Sequence, residues 1–351
     1  MQNTFLLYGA NGYTGELIAR YAANYGLQPI IAGRREEAII ALATKLNLPY
    51  LVFDLSNTTA LEEALQQVKV VVHCAGPFDH TAKPMVDACL KTGTHYLDIN
   101  GDMDVFEMLY SYNAAAKAAG IMVMSGAGFD VVPTDCLALF LKNLLPDASL
   151  LQIAFATPGG GLSHGTATTT AQKLGEPGAE RIGGKVTPVP VGQKGMRVDF
   201  GSEKLFVMSL PWGDVFTAYH TTGIPNIISY TAITPVVYYL LKFQFLFNWL
   251  LRTRLVRKMV KKKIDSSPAG LDDEKRDKST SLVWGQVTNN SGKTATARLT
   301  APDAYTLTAY STLLITQKAL NGNFTPGYQT PAGAYGADLV MEIPEVKREI
   351  V

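Results

Sequence analysis

Short apolar runs alternate with amphipathic stretches along the first 145 residues. Each run is five or six residues long and ends at glycine or polar residues, as buried strands do, whereas the stretches between them repeat apolar residues at helical spacing. The predicted strands are residues 4–8, 29–33, 50–55, 69–74, 95–99 and 121–126. The predicted helices are the segment after Thr14, residues 36–46, a segment capped by Thr59 and Glu62, residues 83–93 and residues 104–120.

This alternation indicates an α/β fold. Strands that are apolar at nearly every position are buried on both faces, which requires helices on both sides of a parallel sheet. We therefore predict a doubly wound parallel sheet of the Rossmann type over residues 1–145. Ligands of such sheets bind outside the carboxyl ends of the strands, so the residues at those ends are the first candidates for a site.

The pattern changes after a helix predicted around Pro133 to Leu145. Strands with turn signals follow, including residues 150–157 and residues 281–300, and the second of these segments contains Asn290-Ser291-Gly292 at the centre of a predicted hairpin. Residues 146–351 are therefore predicted to form a second, α+β domain for substrate binding or dimerisation. The charged stretch from Asp272 to Thr280 is interpreted as a solvated loop.

Composition narrows the class of ligand. The chain has 351 residues, of which 47% are hydrophobic and 17% charged, so it can bury a sizeable core. Its formal net charge of +1 provides no overall field for nucleic acid, and a small-molecule ligand is expected instead. Cys74, Cys89 and Cys136 are widely spaced in apolar segments, which predicts reduced thiols rather than disulfides or a metal site. With no recognisable export signal, a cytoplasmic location is expected.

A glycine-rich loop separates the first predicted strand from the helix that follows. The loop reads GANGYTG over residues 9–15, with the spacing G-x-x-G-x-x-G. Glycines also serve simple turns, but in a strand–loop–helix context they let the backbone approach a pyrophosphate, whose charge is favoured at a helix N-terminus. The cofactor contacts predicted in this loop are Gly9, Asn11, Gly12, Tyr13, Thr14 and Gly15.

The end of the second predicted strand indicates which nicotinamide cofactor is bound. NAD sites usually place Asp or Glu there for the ribose 2′-hydroxyl, whereas the 2′-phosphate of NADP needs an arginine. Here Arg34 and Arg35 follow Gly33. Solvated charges at the start of a helix are the alternative, but basic residues at that position oppose the helix dipole. We therefore expect NADP, with Arg34 as the principal phosphate contact and Arg35 as a second one.

Two further strand ends supply candidate cofactor contacts. Asp54 lies at the end of the third predicted strand, where its carboxylate either reaches the adenine edge or forms a turn or cap. Ala75, Gly76 and Pro77 follow the fourth strand, and small residues there let the ribose and nicotinamide lie close to the backbone. His73 is interpreted as a packed strand residue rather than a catalyst.

Carboxylates gather at the later strand ends. Asp102 and Asp135 are interpreted as a helix cap and a first-turn residue. Asp98 and Asp130 lie where strand ends lead into glycine-containing loops and are the candidates for the rim of an active site, because buried carboxylates need a charge, a cap or a ligand. His164, in a polar glycine-containing loop, is a further candidate as a proton donor to substrate.

Residues 235–251 form the most apolar segment of the chain, and residues 252–263 are strongly basic. A membrane-spanning helix here would be short and would bury Lys242. Two interpretations remain open. The segment is either a helix buried in the domain or at a dimer interface with a solvated basic tail, or a helix that lies on an anionic membrane or lines the entry for an acyl substrate.

Several of these motifs occur together in one known family. The segments GANGYTG (9–15), AGRR (32–35), HCAGPF (73–78), YLDINGD (96–102) and GAGFDVVPTD (126–135), in that order, resemble the saccharopine dehydrogenase-like oxidoreductases, including the trans-acting enoyl reductase branch. The resemblance continues through PWGDVFTAYHTTGIPN (211–226) and TPAGAYG (330–336).

The resemblance implies an NADP-binding Rossmann domain, with residues 9–15 and 33–35 at the cofactor, and a second domain that completes the active site. The resemblance does not specify the substrate. Our hypothesis is NADP-dependent hydride transfer to or from a small, hydrophobic or acyl-type substrate, in a protein expected to be a homo-oligomer. Two alternatives remain: a non-enzymatic redox sensor or membrane-associated scaffold that keeps the Rossmann domain, and an amino-acid dehydrogenase of the saccharopine type.

Overall fold

A computed structural model describes residues 3–159, 176–243 and 270–351, together with isolated positions between residues 246 and 262. The chain forms two compact units, and each consists of two separate segments. The first unit comprises Met1–Val132 and Tyr305–Ile343, and the second comprises Pro133–Ala304 and Pro344–Val351.

A seven-stranded sheet forms the centre of the first unit as described. Its strands are β1 (Thr4–Tyr8), β2 (Gln28–Gly33), β3 (Tyr50–Val52), β4 (Val70–His73), β5 (His95–Asp98), β6 (Met122–Met124) and β15 (Gly327–Gln329). All neighbours are parallel, and the spatial order is β15-β6-β5-β4-β1-β2-β3. The carboxyl ends of the strands therefore share one edge, and the strand order reverses between β1 and β4, where doubly wound sheets bind ligands. The predicted α/β fold is confirmed.

Helices connect these strands. They are α1 (Tyr13–Tyr21), α2 (Glu36–Leu46), α3 (Thr58–Leu65), α4 (Phe78–Thr92), α5 (Met103–Ser111) and α6 (Asn113–Ala118). The central strands β4 and β5 are buried at every residue, because helices cover both faces of the sheet, whereas the edge strand β3 is partly exposed. The largest fully buried side chains are Tyr96, Phe5, Phe106, Leu6, Leu7 and Leu17, all in this unit.

Three boundaries differ from the sequence-based expectation. Helix α3 is capped by Asn57, whose Oδ1 accepts from the backbone N of Ala60 at 3.2 Å, and Thr59 lies inside the helix, so the predicted Thr59–Glu62 capping box is wrong. Helix α4 begins at Phe78 and tolerates Pro84 within it. The predicted helix 104–120 is interrupted at Tyr112.

The chain returns to the first unit near its end. Helix α11 (Ala304–Leu320) leads to β15, which pairs with β6 at the edge of the sheet, and the Ser125 and Tyr328 hydroxyls hydrogen-bond at 2.8 Å. The two units therefore differ from two consecutive domains of residues 1–145 and 146–351, because residues 305–343 belong to the first unit. The sequence conceals this return because β15 has only three residues and α11 is buried on several sides, which removes the amphipathic pattern.

The second unit is built on a mixed sheet. Its described strands are β7 (Ala148–Ala156), β8 (Gly178–Ile182), β9 (Lys185–Val189), β10 (Gly195–Asp199), β11 (Lys204–Ser209), β12 (Asn226–Ala232), β13 (Thr280–Asn289), β14 (Thr294–Pro302) and β16 (Lys347–Ile350). The main path is β10-β11-β12-β7-β13-β14-β16, where β7 and β12 are parallel and the other neighbours antiparallel. This arrangement confirms the predicted second α+β domain, and the predicted hairpin is β13–β14.

The described helices of the second unit are α7 (Val132–Leu144), α8 (Asp214–Thr222), α9 (Pro235–Lys242) and α10 (Asp273–Lys278). Helix α10 occupies the stretch from Asp272 to Thr280, so the prediction of a solvated loop there is wrong. Asp272 is the N-cap, and its Oδ1 accepts from the backbone N of Lys275 at 2.8 Å. A side-chain acceptor followed by charges of the sign that suits each helix end stabilises even this short helix.

Candidate functional site

The glycine loop between β1 and α1 is held by backbone contacts that only glycine allows. Gly9 has a φ of +84°, and a Cβ at this position would lie 2.6 Å from the backbone N of Ala75. A Cβ on Gly15 would lie 2.5 Å from the carbonyl oxygen of Gly9. The first glycine therefore brings the loop against the chain that follows β4, and the third brings α1 against the end of β1.

The middle glycine has a different environment. Gly12 is exposed, and the nearest atom to a Cβ there would be the carbonyl oxygen of Gly9, at 3.3 Å. It is the N-cap of α1 and provides no side-chain cap for the first turn. A helix N-terminus with exposed backbone and no capping side chain fits a pyrophosphate, which would accept hydrogen bonds from the N–H groups there.

Asn11 and Tyr13 contact different parts of the first unit. Asn11 lies over the end of β2, where its side-chain amide is 3.0 Å from the Cβ position of Gly33. With its amide oxygen oriented toward Arg35, Asn11 accepts from Nε at 3.1 Å. The Tyr13 ring packs edge-on against Tyr305 of α11, with 5.0 Å between the ring centroids. Thr14, the remaining predicted residue of the loop, is partly buried in the first turn of α1.

Arg34 and Asp54 lie near each other at the ends of β2 and β3. Both side chains are exposed. Asp54 forms a turn, because its Oδ1 accepts from the backbone N of Ser56 at 2.9 Å and from its Oγ at 2.7 Å. These hydrogen bonds, with a smaller contribution from the Arg34 charge, lower the pKa of Asp54. Arg34 keeps its guanidinium in solvent where the adenosine ribose of a bound dinucleotide is expected.

The residues after β4 form a short loop along the same edge. Ala75 and Pro77 are partly buried and Gly76 is exposed. The Thr81 hydroxyl donates to the carbonyl oxygen of Ala75 at 2.6 Å, so His73 Nε2, 3.0 Å from Thr81 Oγ1, acts as the donor to that hydroxyl. Burial lowers the pKa of His73 to about 3, which keeps the ring neutral. His73 is thus a packed residue that supports the loop, as predicted.

Asp98 is fully buried at the end of β5. Its Oδ1 accepts from the backbone N of Gly126 at 2.8 Å and of Asn100 at 3.0 Å, and its Oδ2 accepts from the Tyr96 hydroxyl at 2.8 Å. Burial raises the pKa of Asp98 to about 6, although the three hydrogen bonds oppose that shift. Both carboxylate oxygens are used by the protein itself, so Asp98 organises the loops of the edge rather than facing a ligand.

Asp130 has a different environment. It follows β6 and is partly buried, and its Oδ2 lies 2.6 Å from the Cβ position of Gly101, so its carboxyl occupies space that any other residue at 101 would fill. Burial raises the pKa of Asp130 to about 7. Among the residues that the structure describes, the carboxyl of Asp130 has no hydrogen-bond or ion-pair partner. A carboxyl of this kind can take up or release a proton near neutral pH.

The other predicted carboxylates have structural roles. Asp102 is the N-cap of α5, where its Oδ1 accepts from the backbone N of Asp104 at 3.0 Å. Asp135 lies in the first turn of α7 and accepts from the Thr221 hydroxyl at 2.6 Å. The predicted proton donor His164 lies outside the described residues. Cys74, Cys89 and Cys136 are free thiols.

Sequence reasoning missed the contribution of α11 to this edge. Tyr305 contacts the glycine loop, and Thr308, Ser311 and Thr312 hydrogen-bond to the loop that precedes Asp130. Thr308, Ser311 and Thr312 are about 180 positions from the loop they contact, and Tyr305 is farther still from Tyr13, so no local pattern could connect them. The carboxyl edge of the first sheet thus brings together the glycine loop, Arg34, Asp54, the loop of residues 75–77 and Asp130.

Comparison with known proteins agrees with this geometry. Residues 5–124 match the family model of the saccharopine dehydrogenase NADP-binding domain. A Mus musculus saccharopine dehydrogenase-like oxidoreductase is 28% identical over 214 residues, which are 53% of this chain and 50% of that protein. A Mycobacterium tuberculosis protein named for trans-acting enoyl reductase activity is 33% identical over 138 residues, which are 37% of this chain and 33% of that protein.

A third relative and one solved structure extend the comparison. A Caenorhabditis elegans protein named as localised to lipid droplets is 27% identical over 197 residues, which are 51% of this chain and 46% of that protein. These alignments span half or less of each relative's length. The apo saccharopine dehydrogenase (L-Glu forming) of Saccharomyces cerevisiae superimposes with a TM-score of 0.71 over 99% of this chain and 100% of that one, at 14% identity, which shows a shared fold.

The family match covers β1 through β6 and includes the glycine loop, Arg34 and the loop of residues 75–77. The three glycine environments fit a pyrophosphate, and the arginine after β2 fits a 2′-phosphate. Sequence and geometry therefore agree on the cofactor and confirm the resemblance inferred from the motifs. Residues 5–124, which form most of the first unit, are thus similar to the NADP-binding domain of the saccharopine dehydrogenases.

Proposed function

We propose that the protein is an NADP(H)-dependent oxidoreductase that transfers hydride to or from a small hydrophobic or acyl-type substrate. When bound, the cofactor supplies or accepts the hydride, and the protein must orient it and move a proton. The observation that best supports an enzyme is the Asp130 carboxyl, partly buried and without a partner among the described residues, on the same sheet edge as the cofactor loop.

We assign each part of the dinucleotide to residues along this edge. The glycine loop of residues 9–15 would hold the pyrophosphate at the N-terminus of α1. Arg34 would bind the 2′-phosphate, and Arg35, hydrogen-bonded to Asn11, would support it and the loop together. Asp54 would lie at the adenosine end, and Ala75, Gly76 and Pro77 would face the ribose and nicotinamide.

Asp130 is assigned the proton transfer. It follows β6, two strands beyond β4 in the sheet, on the side that the nicotinamide half of a dinucleotide occupies when the adenosine half lies over β2 and β3. A carboxyl with a pKa of about 7 holds its proton in part of the population at neutral pH and can donate it as readily as accept it. Asp98 supports the same loops without offering a free oxygen.

The substrate class rests on two observations. The mycobacterial relative is named for enoyl reduction, which adds hydride and a proton to an acyl chain. A saccharopine-type reaction would need an arginine in the second unit for a substrate carboxylate. The buried Arg181 instead donates to the carbonyl oxygens of Val215 at 2.8 Å and Gly184 at 2.7 Å, and its guanidinium lies 4.1 Å from the centroid of the Tyr219 ring.

A peripheral membrane contact is proposed for the segment of residues 235–263. Helix α9 exposes apolar side chains, with Val236 at 70%, Tyr239 at 58% and Phe243 at 51% exposure. Basic residues follow in the sequence, as on helices that lie on anionic lipid. In the described part of the chain, no helix is both long and apolar enough to cross a membrane. Such a surface would bring the protein to an acyl substrate. It also suits the alternative of a non-enzymatic, membrane-associated scaffold. The scaffold would differ from the enzyme because it would bind NADPH without turnover.

Replacing Arg34 with alanine should weaken NADPH binding about 10- to 100-fold, because a charge-assisted hydrogen bond contributes about 1.5–3 kcal/mol. NADH, which lacks the 2′-phosphate, should bind the variant as it binds the unmodified protein. Titration of the fluorescence of both cofactors measures the two affinities. Arg20→Ala, which removes an arginine from the last turn of α1, is the control and should change neither. Equal losses for NADPH and NADH in Arg34→Ala would contradict the phosphate assignment.

Asp130 should make the preference between NADP⁺ and NADPH depend on pH. Its pKa is raised to about 7, so the carboxyl is neutral below that pH and ionised above it. The ionised carboxylate favours the positively charged nicotinamide ring of NADP⁺, so the ratio of the NADP⁺ to the NADPH dissociation constant should fall about fivefold as pH rises through 7. Calorimetric titrations at several pH values measure this ratio.

Asp130→Asn should abolish the pH dependence of that ratio while both cofactors still bind. Asp98, whose pKa lies near 6, is retained in this variant and therefore serves as an internal control for the other buried carboxyl at the edge. A pH dependence that persists unchanged in Asp130→Asn would rule out the proposed role of Asp130.

Replacing Val236 and Phe243 with serine should reduce the affinity for vesicles that contain phosphatidylserine, measured by flotation, by about 30-fold or more, because each apolar side chain contributes roughly 1–2 kcal/mol when buried in the interface. Ile182→Ser, which removes an apolar side chain of 50% exposure from β8, is the matched control. The membrane proposal fails if the double variant floats as the unmodified protein does, or if Ile182→Ser causes the same loss.

A further inference from the structure

We propose that helix α11 forms part of the cofactor site and that Thr308 is the positioning residue that fixes the backbone of the loop of residues 126–130. This inference rests on the proposed role of Asp130, whose backbone directly follows the residue that Thr308 holds. Helix α11 lies outside residues 5–124, the part matched by the family model, and nothing in the local sequence connects it to the cofactor.

The loop is held on one side by the end of β5. Asp98 Oδ1 accepts from the backbone N of Gly126 at 2.8 Å, and the carbonyl oxygen of Asp98 accepts from the backbone N of Ala127 at 2.7 Å. Gly126 has a φ of +73°, which a residue with a side chain rarely adopts, so the chain turns sharply at this point. These contacts fix where the loop begins.

Helix α11 holds the other side of the loop through three hydroxyl groups. The carbonyl oxygen of Ala127 accepts from Ser311 Oγ at 2.7 Å and from Thr312 Oγ1 at 3.2 Å. The backbone N of Phe129 donates to Thr308 Oγ1 at 2.9 Å. Ser311 and Thr312 are fully buried and Thr308 is 7% exposed, so each lost partner would leave a desolvated polar group.

The contact between loop and helix is as close as glycine permits. A Cβ on Gly128 would lie 2.6 Å from Thr308 Cγ2, which leaves no room for the loop to move toward the helix. The carbonyl oxygen of Gly128 accepts from the backbone N of Val132 at 2.9 Å and closes the turn around Asp130. Asp130 therefore lies between Phe129, whose backbone N donates to Thr308, and Val132, whose backbone N donates to Gly128. Its carboxyl is directed against Gly101.

The first turn of α11 reaches the cofactor loop as well. Tyr305 packs edge-on against Tyr13, which follows the N-cap of α1, with an angle of 87° between the rings. One helix thus contacts both the loop assigned to the pyrophosphate and the loop assigned to proton transfer. A rigid element shared by two loops keeps their separation fixed, which is the requirement for placing a nicotinamide ring beside Asp130.

The experiment compares three substitutions on α11. Thr308→Val keeps the shape and removes the hydroxyl, and Thr308→Ser keeps the hydroxyl. Thr316→Val is the matched control, because Thr316 is also buried on the same helix, but its hydroxyl donates to the carbonyl oxygen of Thr312 at 2.7 Å and makes no contact with the loop among the hydrogen bonds described. The probes are NADPH, NADP⁺ and 2′,5′-ADP, which carries the adenosine half alone, and circular dichroism confirms folding.

Thr308→Val should weaken NADPH binding roughly fivefold and should shift the pH midpoint of the NADP⁺-to-NADPH affinity ratio by about half a unit, because the unpaired N–H of Phe129 lets the loop move. Its affinity for 2′,5′-ADP should stay unchanged, and Thr308→Ser should restore both values. The groups that titrate at this loop are Asp130 and Asp98, and the comparison with Asp130→Asn separates them.

A Thr308→Val protein that behaves as Thr316→Val does would overturn the inference, and so would an equal loss of 2′,5′-ADP binding, which indicates general destabilisation of the unit. Failure of the proposed function looks different. In that case the unmodified protein and Asp130→Asn show the same pH dependence, and the role of α11 is then judged from the NADPH and 2′,5′-ADP affinities alone.

Discussion

The close backbone contact between Gly9 and Ala75 is the constraint on which the cofactor site depends. With 2.6 Å between the Cβ position of Gly9 and the backbone N of Ala75, the loop after β1 and the loop after β4 lie directly against each other. These strands flank the switch point of the sheet, so the contact brings the N-terminus of α1 to the opening between the two halves. The same contact places the residues assigned to the two ends of the dinucleotide on one edge.

The polar residues of this edge divide into those that hold loops and those that face outward. Asp98, His73 and Thr81 are paired within the protein and fix the loops after β4, β5 and β6. Asp130 extends from the loop after β6 and Arg34 from the end of β2, and neither uses its charged group to hold a loop. Such a division is typical of functional sites, because preorganised surroundings hold a reactive group without occupying it.

The features that depend on neighbouring residues could be predicted from the sequence. The order of strands and helices follows from the hydrophobic period within each segment. The glycine loop and Arg34 lie within about 30 residues of each other, so their spacing identifies them. The hairpin of β13 and β14 is also local, and it follows from alternating residues around an Asn-Ser-Gly turn.

The features that depend on distant residues could not be predicted. The return of the chain through α11 and β15 joins segments about 200 residues apart, and a three-residue strand leaves too short a pattern to recognise. Asp98 and Asp130 looked alike in the sequence because both lie where a strand end leads into a glycine-containing loop. What separates them is the partners of their carboxyl oxygens, and those partners come from other parts of the fold.

The central claim is that NADP lies along this edge with its nicotinamide ring beside Asp130. The most direct measurement is a crystal structure of the protein with NADP⁺ bound. The account predicts the pyrophosphate on the backbone of Gly12, the 2′-phosphate on the Arg34 guanidinium, and the Asp130 carboxyl within about 5 Å of the nicotinamide ring, close enough to act directly or through one water. A nicotinamide ring directed away from the loop of residues 126–130, with Asp130 left facing solvent, would contradict it.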